Sequence, residues 1–200
     1  MLIDLTLSLP ADHAVFTRER EAWAMPMSSG HVGTHLDTLL HRPIPLDWMD
    51  RSARLVDVRP FGADIGLDAL TGVPVAAGDF VLFRTDHIRR HPYGEREYFS
   101  DHPQLDWPLV EHLIEKKVSF IGIDAAGLRR GREDHARVDR FCEENGAYVI
   151  ENLTNLEALQ KAVSARTDGR FSARVAWIAH GGLTGIPVKV VAVLPNTANA

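Results

Sequence analysis

A chain of 200 residues, 45% hydrophobic and 24% charged, can bury a core as one large domain or two small ones, and its composition excludes disorder. Its net charge of −5 argues against nucleic acid or an anionic membrane as the main partner, because neither attracts an acidic surface. The single cysteine, Cys142, excludes an internal disulfide and a cysteine-rich zinc knuckle, so a reducing cytoplasm is the expected compartment.

The opening "MLIDLTLSLPADH" lacks the basic start and long apolar run of a signal peptide. Its alternation, with Ile3, Leu5, Leu7 and Leu9 on one parity, predicts a half-buried strand that stops at Pro10. A short strand is expected over 54–58, and a continuously apolar central strand over 79–85. Residues 86–106 are polar and aromatic without a period, and read as a long surface loop. Leu109, Val110, Leu113 and Ile114 share a helical face in 107–117, with Asp106 as N-cap, and 118–124 returns as a strand. Val138, Phe141 and Cys142 mark a helix over 134–146 that ends at Gly146. A strand over 147–153, a helix over 155–163 capped by Asn155, and two long strands around the turn-rich "GGLTG" complete the chain. Strands at both ends with βαβ-like alternation between them predict one α/β domain spanning 1–200. Nowhere do eighteen apolar residues run together, so no membrane helix is expected.

The stretch "SGHVGTHLDTLLHRP" stands apart. An even spread of the ten histidines would put about half a residue in an eleven-residue window, yet 31–41 holds three, with an aspartate among them. Any one of them could simply hydrogen-bond backbone in a polar loop; the four together are the nitrogen and oxygen donors that zinc and manganese take. On a straight strand His31 and His35 would lie about 13 Å apart, too far to share an ion. On a helix those two meet, but Asp37 points away and Gly33 weakens the helix. A bend at Gly33-Thr34 resolves both, placing His35 and Asp37 on one face at i, i+2. The expectation is a strand-to-loop corner converging on metal.

"HVGTHLD…H" resembles the signature H-x-G-T-H-x-D-x-P-x-H of the Putative cyclase family, whose members include bacterial kynurenine formamidase. The likeness continues through "IDLT", "GDFVLFRT", "HPQLDWPLVEHLIEKKVSFIGIDAAGL", "GAYVIENLTNLEAL" and "GIPVKVVAVLP". It implies a single domain with a mixed, barrel-like β core flanked by helices, of the swivelling β/β/α type. It also implies His31, His35 and Asp37 as ligands to one or two divalent ions, zinc foremost and manganese as competitor, with His41 as the acid/base. A homodimer and a small-molecule amide substrate are implied too. Leu39 departs from the pattern, standing where the family has proline; proline carries no donor, so the metal chemistry survives its loss.

The resemblance also calls for a later glutamate and a histidine. Glu151 matches the glutamate at a strand end, although on its own it would read as a surface carboxylate before the Asn155 cap. The family's spacing back from Glu151 lands on Asp139, whereas His135, one helical turn earlier, fits the residue type. Both stay candidates. A carboxylate there would make the site more oxygen-rich and favour manganese. No G-x-S-x-G elbow accompanies the glycine-rich "AHGGLTG", and no phosphate loop is present. Cys142 reads as packing. Phe16, Trp23, Tyr93 and Phe99 could stack on an aromatic substrate. The resulting expectation is metal-dependent hydrolysis of a formamide-like or cyclic amide (arylformamidase-like). The alternatives are a metal-stabilised binding or scaffold protein, and a lyase or dehydratase using the same ion.

Overall fold

The computed structural model describes residues 1–10, 12–17, 29–165, 169–178 and 182–195. Its strands are β1 (Leu2–Asp4), β2 (His35–Asp37), β3 (Asp50–Asp57), β4 (Asp64–Ile65), β5 (Phe80–Arg84), β6 (Gln104–Leu105), β7 (Phe120–Ile123), β8 (Tyr148–Glu151), β9 (Phe171–Trp177) and β10 (Gly185–Val193). The helices are α1 (Ala14–Thr17), α2 (His87–Arg90), α3 (Arg96–Ser100), α4 (Trp107–Glu115), α5 (Arg132–Glu144) and α6 (Leu156–Ser164).

The order β10-β2-β8-β7-β5-β3-β9 closes on itself, because β10 pairs with β2 through residues 185–187 and with β9 through 188–193. The result is a seven-stranded barrel. The pairs β3–β5, β5–β7 and β7–β8 are parallel and the other four antiparallel, so the barrel is mixed. β1 extends it along β10, and β4 and β6 form a small separate ladder. Helices flank this core, as the resemblance implies.

Strand alternation sorts the core into an inside and an outside. Phe80, Leu82, Leu36, Ile150, Phe120, Ala53, Val175 and Val190 come from all seven strands and form one cluster, which is the barrel interior. α6 adds Leu156, Leu159 and Val163 to it. The opposite parity of β5 and β7, with Val81, Phe83, Ile121 and Ile123, packs outward against Leu109, Val110 and Leu113 of α4 and Val138 and Cys142 of α5. α4 and α5 each lay one apolar stripe on the barrel, as the 3.6-residue period requires.

Asp106 caps α4 as expected, its Oδ1 accepting from the Leu109 amide at 2.8 Å. α5 ends just before Gly146, whose φ of +78° permits the helix exit. Four expectations need correction. The first strand is shorter than its alternation suggests: Leu7 N donates to Thr34 Oγ1 at 2.7 Å, which draws the chain off the ladder after Asp4. β3 is longer, because residues 50–53 pair with β9, a partner distant in sequence. Asn155 does not cap α6 with its side chain, which instead donates to the Asp4 carbonyl at 2.7 Å. Nor is 86–106 simply a surface loop. It forms α2, α3 and β6 and buries Tyr93, Tyr98, His87 and His102. No helix among the described residues is long and apolar enough to cross a membrane.

Candidate metal centre

The corner at residue 33 exists as a bend. Gly33 has φ +68°, a left-handed conformation that glycine adopts without penalty, and the chain straightens into β2 directly after it. Tyr93 Oη accepts from the Gly33 amide at 2.9 Å, and Thr34 Oγ1 donates to the Asn152 carbonyl at 2.8 Å. The corner is therefore bolted to two other segments. It brings His31 Nδ1 to 3.2 Å and His35 Nε2 to 3.5 Å from Asp37 Oδ1.

A second triad faces the first. β8 pairs antiparallel with β2 in a register that sets Glu151 opposite His35, with His35 Nε2 3.5 Å from Glu151 Oε2. On α5, His135 and Asp139 lie one turn apart on the same face, Nε2 to Oδ2 at 3.3 Å, and His135 Nε2 is 3.4 Å from Glu151 Oε1. The sequence left His135 and Asp139 as competing candidates; the fold brings both to Glu151. Glu151 is no surface strand end but is buried. Each triad holds donor atoms within 4.8 Å of one another.

Three buried carboxylates thus meet with no lysine or arginine paired to them among the described residues. Burial alone would raise the Asp37 carboxyl, but the imidazoles of His35 and His31 outweigh it and hold Asp37 well below the usual range. Burial pushes Asp139 and Glu151 well up, and the Asp37 charge adds to the rise in both. His35 is raised: burial opposes its charge, but Asp37 and the Gly33 carbonyl prevail. His135 is lowered by burial, against the pull of Asp37.

The donors fit a divalent cation on an independent count. His35 Nε2, both Asp37 oxygens, Asp139 Oδ1 and Glu151 Oε1 are buried with no hydrogen-bond partner among the described residues. Orphaned buried acceptors are costly, and several converging on one spot call for a cation. His35 is also set to offer the right nitrogen. Its Nδ1 lies 2.9 Å from the Gly33 carbonyl, which can only accept, so Nδ1 bears a proton and Nε2 is the nitrogen that faces the cluster.

His41 belongs to neither triad. It is exposed, with φ +54°, and lines an open cavity of about 210 Å³ together with Thr38, Arg42, Trp177, Ile178 and Ile186. Cys142 is fully buried and its thiol pushed well up by burial, which agrees with packing. Of the aromatic candidates, Tyr93 holds the corner, Phe16 packs in the cluster with Tyr93 and Tyr98, and Phe99 is partly exposed. Trp23, and residues 179–181 of the glycine-rich turn, lie outside the described residues.

Residues 3–129 match the model of the family described as "Putative cyclase". The chain belongs to that family. No curated protein matches it. Among solved structures, isatin hydrolase A from Labrenzia aggregata, bound to benzyl benzoate, is 18% identical over 97% of this chain and 93% of that one, with a TM-score of 0.74. Isatin hydrolase A from Ralstonia solanacearum is 20% identical over 98% and 92%, TM-score 0.70. A structure described as a "predicted metal-dependent hydrolase from Bacillus stearothermophilus" is 20% identical over 96% and 97%, TM-score 0.70. At these identities the likeness establishes a shared fold.

Four residues that the sequence reading passed over also shape this cyclase-family site. Asn152 Nδ2 donates to the Gly33 carbonyl at 2.9 Å, and its Oδ1 accepts from Tyr98 Oη at 2.6 Å, so it braces the atom that orients His35. Thr184 Oγ1 lies 2.9 Å from His31 Nε2. Gly127 leaves the space that His135 fills: a Cβ there would sit 2.5 Å from His135 Nδ1. Glu143 lies one turn beyond Asp139. Adjacency to Glu151 could have flagged Asn152, and helical spacing Glu143; Thr184 and Gly127 carry no local signal.

Proposed function

We propose that the protein is a metal-dependent hydrolase of amide C–N bonds, acting on a formamide-like or cyclic amide. The single observation that carries this reading is the pair of facing triads with five orphaned buried donor atoms. In it, His31, His35 and Asp37 hold one divalent ion, and His135, Asp139 and Glu151 hold a second or complete the first. Zinc suits the imidazoles, and manganese competes because three of the six donors are carboxylates. A divalent ion bound there supplies two things: it lowers the pKa of water toward neutrality and polarises a carbonyl.

The rest of the chemistry falls to side chains. The cavity beside His41 has apolar walls from Trp177, Ile178, Leu183 and Ile186, which suit an aromatic or otherwise flat substrate body. Thr38 and Ile186 of that wall directly follow Asp37 and Gly185 in the chain, so the cavity borders the strand that carries the first triad. His41 takes the proton from the water as its oxygen bonds to the carbonyl carbon, and gives it to the nitrogen as the C–N bond breaks. A carboxyl group and an amine result, as two products from a formamide and on one opened chain from a cyclic amide. Structural neighbours named for the hydrolysis of isatin, a cyclic amide, support this substrate class. A homodimer, as the family resemblance implies, is the proposed assembly.

The test is metal analysis of the purified protein, followed by assays on isatin, N-formylkynurenine and simple lactams with zinc or manganese restored. Turnover on at least one is expected, with His41→Ala keeping its metal and losing about 10²- to 10⁴-fold in rate. A metal-loaded protein inert on all of them, or a fully active His41→Ala variant, refutes the reading.

A further inference from the structure

We propose that Glu143 is a positioning residue: its carboxylate clamps residues 38–42 and so aims His41 into the cavity. The proposal rests on the acid/base role given to His41 above. Glu143 is 1% exposed and lies on the α5 face that carries His135 and Asp139, at steps of four residues. No lysine or arginine side chain pairs with its carboxylate among the described residues. Its partners are three donors from the segment 38–42. Thr38 Oγ1 donates to Oε1 at 3.1 Å, the Arg42 amide to Oε1 at 2.9 Å, and the Leu40 amide to Oε2 at 2.7 Å. A carboxylate buried this deeply stays only where donors satisfy it, so helix and loop hold each other.

The loop is tied at its far end as well. Arg42 Nη1 donates to the Glu143 carbonyl at 3.3 Å and the Glu144 carbonyl at 2.8 Å, the carbonyl end of α5, where a cation is favoured. Tyr148 Oη donates to the Arg42 carbonyl at 3.0 Å. His41 sits between the two clamped amides with φ +54°, a conformation that a residue with a Cβ keeps only when its neighbours enforce it. The family motif stiffens this segment with proline at the place of Leu39. Here the rigidity comes from the helix.

Amide exchange tests the clamp without any substrate. In the wild-type protein the Leu40 and Arg42 amides are expected to exchange at least about tenfold more slowly than open-loop amides. Fast exchange there overturns the proposal before any variant is made. Glu143→Gln replaces one acceptor oxygen by a donor. It is expected to speed exchange at Leu40 or Arg42 about tenfold and to leave Val149 and Ile121 protected. Unchanged exchange overturns it. Should Glu143→Gln fail to fold, Thr38→Val removes one donor while keeping the carboxylate, and the same pattern is expected at smaller amplitude.

Kinetics on whichever amide is turned over add the link to His41. Glu143→Gln should lower kcat about 10- to 100-fold with KM and bound metal unchanged. In a His41→Ala background it should cost less than about twofold further, whereas independent, multiplying effects overturn the positioning role. A fully active His41→Ala enzyme would sink the acid/base reading, and with it the aim of the clamp, while the exchange data still decide whether the clamp exists.

Discussion

The two halves of the candidate metal centre are built in opposite ways. The first triad is written in seven consecutive residues, His31 to Asp37, and needs only a bend at Gly33 to converge. The second is assembled from α5 and β8, and no local stretch contains it. Their electrostatics differ as well. Asp37 is held low by two imidazoles, whereas Asp139 and Glu151 are pushed up by burial and by Asp37 itself. The local half holds its carboxyl charged beside two imidazoles, and the assembled half holds carboxyls whose charging burial opposes and a cation would favour.

The sharpest way to break this contrast is to remove one aspartate from each side. Asp37→Ala should abolish tight metal binding and cost more than the about 10- to 100-fold typical of outer partners, read by metal content and kcat/KM. Asp139→Ala should weaken metal binding too, but with an opposite sign on the metal-free protein. Losing Asp37 forfeits its pairing with His31 and His35 and lowers the apo melting temperature. Losing Asp139 removes a buried carboxyl whose charging is opposed, and raises it by about 2–4 °C. Apo melting temperatures that fall equally for both variants would erase the distinction.

Gly127→Ala probes the assembled half alone. The new Cβ would lie 2.5 Å from His135 Nδ1 and 3.0 Å from Glu151 Oε1, on a backbone with φ +125°. A stability loss of about 1–3 kcal/mol is expected, together with weakened metal binding that is visible by titration calorimetry. An unchanged affinity would mean that His135 is dispensable.

A further expected effect is on acid stability beside the second triad. Burial depresses His102 from 6.5 to about 4, against its bond to the Pro103 carbonyl and helped by the charges of His87, His135 and Arg130. The unfolded chain therefore binds a proton between those values and the folded chain does not. The contribution is fully present above pH 6.5 and is lost as pH falls toward 4, up to about 3 kcal/mol. His102→Gln should flatten that part of the pH–stability curve in chemical denaturation, and an unaltered slope would refute it.

Legibility follows the same division. The corner could be read because glycine, histidine and aspartate each limit what the backbone can do within a few residues. Asp106 could be read as a cap for the same reason. The stretch 86–106 could not: its two short helices, α2 and α3, show no hydrophobic period, and Tyr98 and His102 are buried by partners distant in sequence. Asn155 has the composition of a cap, but tertiary contact with Asp4 claimed its side chain. The choice between His135 and Asp139 dissolved because helical spacing puts both on the face that β8 approaches. Glu143 went unnoticed because two of its three partners are backbone amides, which leave no trace in residue type, and the third, Thr38, is 105 residues away in the chain.

The threefold pairing of β10 has a consequence for how the chain is born. That strand joins β9, β2 and β1, so the ring cannot shut until it has been synthesised. On the ribosome the nascent polypeptide carries its early histidines with β2 lacking both flanking strands until β8 is made, and lacking β10 after that, in a topology rich in distant contacts that folds slowly. The strand that carries His35 and Asp37 is thereby framed on both edges only after β10 has joined it.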